Sequence, residues 1–78
     1  MNEELSIEER VLLLALLKRE PQESVRDILL MLENSRVFTL KEGKRLARKL
    51  RKEGYLEEEG LTFKGITAAQ AAEAEFKL

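Results

Sequence analysis

"LKEGKRLARKLRKEGYLEEEGLTFKG" (residues 40–65) concentrates most of what distinguishes this chain. Residues 41–53 hold seven Lys or Arg and two Glu, a net of +5. The rest of the chain holds seven basic and thirteen acidic residues, a net of −6, so the formal charge of −1 is a cancellation of two segregated halves. At 100° per residue, Leu40, Gly43, Leu46, Ala47 and Leu50 share one side of a helix, and Lys41, Arg45, Arg48 and Lys52 stand almost opposite. Those four cations are helical neighbours, and like charges so placed destabilise a helix by about 0.2–0.5 kcal/mol per pair. A helix end explains Lys49, Arg51 and Lys52, which lie near the negative C-terminus. It does not explain Lys41, Lys44 and Arg45, which lie near the positive N-terminus and call for a docked anion, phosphate being the natural one.

Local signals bound this helix. "TLKE" (residues 39–42) has the form of a capping box, with Phe38 in the position of a hydrophobic staple, and Gly54 follows the last basic turn as a left-handed cap. Beyond it, residues 55–58 and 61–64 flank the turn-like "EG" and predict a hairpin that sets Leu56 opposite Phe63, both facing the helices.

Working towards the N-terminus, "NSRVF" (residues 34–38) separates the basic helix from a predicted amphipathic helix over 22–33. Val25, Ile28, Leu29 and Leu32 form its inner stripe. Before that, Ser6 with Glu9 is a capping box opening a helix over 7–19, which Pro21 ends. Residues 11–17 (VLLLALL) make this helix apolar all round, so both its sides are covered, one by the domain's own core and the other by a second subunit or by the rest of the domain. At the other end, Thr67 with Gln70 predicts a last helix carrying Ile66, Ala69, Ala72 and Phe76 on one stripe.

Composition narrows the function classes. A chain of 78 residues forms a single domain, residues 1–78, that buries only about 60% of its unfolded surface. It has no Cys and no His, which removes disulfides, thiolate and imidazole chemistry and the usual zinc sites. Glu57, Glu58 and Glu59 lack the alternating ligands and turn glycine of a calcium loop. No enzyme activity, cofactor or metal is expected. The longest apolar run, residues 11–17, is far short of the roughly 20 residues of a membrane span, and the acidic start "MNEEL" is unlike a signal peptide. A cytoplasmic location is expected. The four aromatics, Phe38, Tyr55, Phe63 and Phe76, form no obvious platform for single-stranded bases.

The order of elements is two helices, a short break, a basic third helix ending in "LRKEGYL", and a hairpin leading into "LTFKG". It resembles the winged helix-turn-helix domain of bacterial transcription regulators of the MarR and PadR kind. Leu50, Gly54, Tyr55, Leu56, Leu61, Thr62, Lys64 and Gly65 carry the resemblance. In that pattern Gly54 caps the helix, Leu56 anchors the first wing strand and Gly65 lets the chain turn out of the second. The fold implied is mainly α with a small β-hairpin: a three-helix core, a wing and a C-terminal helix.

The resemblance also implies a function, binding of double-stranded DNA, with residues 40–53 as the helix entering the major groove. Lys41, Lys44, Arg45, Arg48, Lys49 and Lys52 would then meet phosphates or base edges, and Arg36, in the preceding turn, the neighbouring backbone strand. Arg45 and Arg48 are the candidates for base contact, because a guanidinium reads guanine with two bonds. A homodimer through the first and last helices would read two half-sites. One departure stands out: "EEEG" (residues 57–60) is acidic where a DNA-contacting wing is ordinarily basic. Either the wing stays off DNA, or the module binds an acidic protein through the same basic helix.

Overall fold

In the computed structural model, which describes residues 5–76, Ser6 caps the first helix, α1 (Ile7–Lys18), and its hydroxyl accepts from the Glu9 amide as the box predicts. The opening "MNEE", weighed above against a signal peptide, and the last two residues lie outside this range. Four helices and one short hairpin follow in the order α1, α2 (Val25–Asn34), α3 (Leu40–Lys52), β1 (Leu56–Glu57), β2 (Gly60–Leu61) and α4 (Phe63–Phe76). The described chain is therefore mainly helical, with a two-stranded antiparallel sheet. No described helix is long and apolar enough to cross a membrane.

Leu12 and Leu13 of α1 have no exposed surface, and Leu16 is nearly as enclosed. They pack with Ile28, Leu29 and Leu32 of α2, Leu46, Ala47 and Leu50 of α3, Leu56 of β1 and Ala69 of α4 in one core. The second side of α1 is covered within the same chain: α4 lies along it, tied by Arg10–Glu75 at 3.3 Å and Lys18–Glu73 at 2.7 Å. Of the two covers expected for α1, the rest of the domain supplies this one.

Five expectations are corrected. Helix α2 begins at Val25, three residues later than its apolar pattern predicted, because Ser24 and Asp27 form their own reciprocal capping box. In the hairpin Leu56 faces Leu61, not Phe63, and Glu57 faces Gly60. The turn is Glu58–Glu59, and Gly60, at φ +145°, supplies the backbone twist that returns the chain. Phe63 is thus not a strand residue facing the helices; it opens α4 and is 84% exposed.

Helix α4 also begins four residues before the predicted cap at Thr67. Thr62 caps it instead, its hydroxyl accepting from the Gly65 amide at 3.0 Å while donating to the Gly54 carbonyl at 2.6 Å. The expectation that Gly65 turns the chain out of a strand is replaced by a packing role. A Cβ there would lie 2.0 Å from the Tyr55 carbonyl oxygen, so only glycine lets α4 approach the end of α3.

That end of α3 is a Schellman motif: the Gly54 amide donates to Arg51 and the Tyr55 amide to Leu50, with Gly54 at φ +89°. Lys64 completes the junction, donating to the Glu53 carbonyl at 2.9 Å with its ammonium 4.4 Å from the Tyr55 ring centre. The "L…GYL…LT-x-KG" residues are therefore one structural joint between α3 and α4.

Gly65→Ala is expected to destabilise by about 2 kcal/mol, lowering the melting temperature by roughly 10 °C. Gln70→Ala, at an exposed position of the same helix, should change it little. Thermal unfolding followed by circular dichroism distinguishes the two.

Candidate nucleic-acid interface

Helix α3 holds its two faces apart as its sequence dictates. Gly43, Leu46, Ala47 and Leu50 are buried, whereas Lys41, Lys44, Arg45, Arg48, Lys49, Arg51 and Lys52 are exposed. Gly43 is required by the staple: a Cβ on it would sit 2.6 Å from Cε1 of Phe38, whose ring lies against the first turns of α3.

The seven cations are not equivalent. Lys49 reaches across to α1, placing its ammonium 2.9 Å from Oε2 of Glu9. Glu9 is 1% exposed and spends its other oxygen on the Ser6 amide at 2.8 Å, so one carboxylate both caps α1 and holds α3. Lys49, assigned to DNA from the sequence, is thus engaged within the fold. For the other six, among the described residues, no carboxylate lies within 4.0 Å of the charged end.

Five of those six, all but Lys52, are disposed on two flanks. Lys41, Lys44, Arg45 and Arg48 line one shallow surface of α3 together with Glu42. On the side towards α2, Lys44, Arg48 and Arg51 line a groove of about 290 Å³ with Arg26, floored by Val25, Leu29 and Ala47. Sequence reading missed Arg26 and assigned Arg51 to the helix end. Both are exposed, and only the packing of α2 on α3 brings them together. The remaining flank, towards α1, is mixed in sign, with Glu8, Glu9, Glu42, Arg45 and Lys49 around one depression.

The N-terminus of α3 is less open to an outside anion than its cations suggested. Thr39 accepts from the Glu42 amide at 3.1 Å, and Glu33, from α2, accepts from the Leu40 amide through Oε2 at 3.1 Å. The reciprocal half of the predicted box is absent, and a carboxylate of the chain itself sits at the helix end. The basic side chains, not the helix amides, are what an anion would meet.

Arg36 is exposed in the α2–α3 turn and has φ +66°, the left-handed position of a second Schellman motif in which Val37 donates to Leu32 and Arg36 to Glu33. Its backbone closes α2; its side chain is free in the turn.

The hairpin is short and held. Arg19 donates from Nη1 to the Glu23 carbonyl and from Nη2 to the Glu59 carbonyl at 2.7 Å, strapping the hairpin turn to the α1–α2 connection. Glu57, Glu58 and Glu59 stay exposed. No group of three or more acidic side chains among the described residues is arranged to hold a metal ion.

Compared with known proteins, the chain matches no family model, no curated protein and no solved structure.

Burial by itself would raise the Glu9 carboxyl, but the Ser6 amide and the Lys49 ammonium outweigh it and hold the group below its ordinary 4.5. A depressed folded value means the charged form adds stability above the ordinary value, and that stability is lost as the pH falls through the folded one. Glu9→Gln should therefore be less stable than the native chain at pH 7, by about 1–2 kcal/mol. The gap should narrow only as the pH falls below the ordinary 4.5 and through the lowered folded value, which urea unfolding midpoints across the acid range would read.

Proposed function

We propose that this chain is a winged-helix-like module that binds duplex DNA through the exposed face of α3, acting by non-covalent recognition in the cytoplasm. The observation that carries the reading is the set of six α3 cations that have no partner carboxylate among the described residues, in a chain that has more acidic than basic residues. A face serving only solubility mixes its signs. Lys41, Lys44, Arg45, Arg48 and Lys52 form the interface, Arg36 can reach a neighbouring backbone strand from the turn, and Lys49 supports α3 from behind. The strapped, acidic turn at Glu58–Glu59 supports a mode in which the helix alone engages DNA and the wing stays off it. Pairing of two copies, expected through the first and last helices, has the outward side of α4 to use, where Phe63, Thr67, Gln70, Ala71 and Ala74 are exposed, and Ile7 at the start of α1.

An acidic protein is the rival partner for the same face, favoured by the three carboxylates of Glu57, Glu58 and Glu59 where a DNA-contacting wing is ordinarily basic. Fluorescence anisotropy with a labelled random-sequence duplex separates the two. Neutralising four to six phosphates predicts a loss of affinity on the order of 100- to 1,000-fold between 50 and 200 mM salt. Arg45→Ala/Arg48→Ala should abolish measurable binding at the higher salt while leaving the melting temperature within a few degrees. A native chain that ignores the duplex at low salt leaves only the protein-partner reading.

A further inference from the structure

The groove between α2 and α3 separates the basic surface into two working parts. Its walls carry Arg26 from α2 and Lys44, Arg48 and Arg51 from α3, and its floor is Val25, Leu29 and Ala47. All four cations are exposed, and no described carboxylate lies within ion-pair distance of any of them. Arg26 is the informative one. It is the second residue of α2, where the helix end is itself positive and disfavours a cation. The nearest acid in sequence, Asp27, spends its carboxylate on the Ser24 amide. No ion pair or hydrogen bond among the described residues accounts for a guanidinium at that place.

Resting on the reading of α3 as a duplex-binding helix, we propose that this groove grips the sugar–phosphate backbone of one DNA strand. Arg26 and Arg51 are then phosphate contacts, and Arg48 is moved from base reading to the backbone. The opposite flank, Lys41 and Arg45, is left to face the base edges. The argument is charge complementarity joined to shape. Three guanidiniums and one ammonium converge on a concave strip that has no acid in it, and a guanidinium fork matches the two free oxygens of a phosphodiester. The floor is made of a helix–helix contact, so the backbone positions of the four cations are held relative to one another by the core and binding has only their side chains to order.

The division makes a measurable difference, since backbone contacts set salt dependence and carry no sequence information, whereas base contacts carry it. Binding of the full chain to random-sequence duplex would be titrated with salt for the native protein, for Arg26→Gln/Arg51→Gln and for Lys41→Gln/Arg45→Gln. Arg26→Lys/Arg51→Lys serves as the charge-retaining control. The groove pair should lower the slope of log affinity against log salt by about 2 and weaken all sequences alike, with the control keeping the native slope. The Lys41/Arg45 pair should flatten discrimination among the sequences selected from a randomised pool.

If Arg26→Gln/Arg51→Gln leaves slope and affinity unchanged while Arg45→Ala/Arg48→Ala loses binding, the groove is not a backbone site, and the α3 reading survives without it. Equal loss of discrimination from both pairs also overturns the division. A native chain with no salt-dependent binding sinks both proposals together. Because the substituted side chains are exposed and unpaired, all variants should melt within a few degrees of the native chain, which circular dichroism checks.

Discussion

A helix that is apolar around its whole circumference has to be enclosed, and in 78 residues the rest of the chain must do the enclosing. Leu12, Leu13 and Leu16 disappear from the surface because α2 packs against α1, Leu46, Ala47 and Leu50 of α3 fill the same core, and α4 returns along α1. That return depends on the joint at the end of α3. Gly54 turns the chain, Thr62 caps the next helix against the Gly54 carbonyl, and Gly65 admits a backbone oxygen where any side chain would stand. The hairpin between them is short because the joint leaves it little room, each strand having two residues. The basic face of α3 is what remains once every other side of that helix has been used.

Much of this was legible because it is written locally. The Ser6–Glu9 box, the two faces of α3 and the left-handed glycine at residue 54 each occupy one helical turn or one helical period, and each stands where its sequence placed it. Misreadings arose where the local signal was too short or had a decoy. Strands of two residues carry no alternation to fix a register, so the sequence alone points to a turn one residue late and to a strand that includes Phe63. The cap of α4 has glycine, not Glu or Gln, at its third position, so no box marks Thr62, and Thr67 with Gln70 imitates one inside the helix.

The interface was partly legible for the same reason. Periodicity alone separates exposed from buried positions on α3. It cannot tell that Lys49 meets a carboxylate on α1, or that Glu33 reaches the first amide of α3, because those partners are set by packing between helices. Arg26 was invisible as part of the basic surface for the converse reason: on its own helix it is one polar residue among several, and only the α2–α3 contact makes it a neighbour of Arg48 and Arg51.

The strap made by Arg19 bears on how such a surface meets a partner. With one guanidinium holding both the α1–α2 connection and the hairpin turn, the turn has no hinge of its own, and Gly60 packs so close to that guanidinium that a Cβ would fall 2.6 Å from Nη2. The hairpin and the α1–α2 connection are therefore tied as one piece. Docking still has the exposed basic side chains to order, but the tied backbone offers little reshaping around an ill-fitting surface. Selectivity then rests on what the partner can do: a stiff target must already match the spacing of the cations, and a pliable one can bend to reach them.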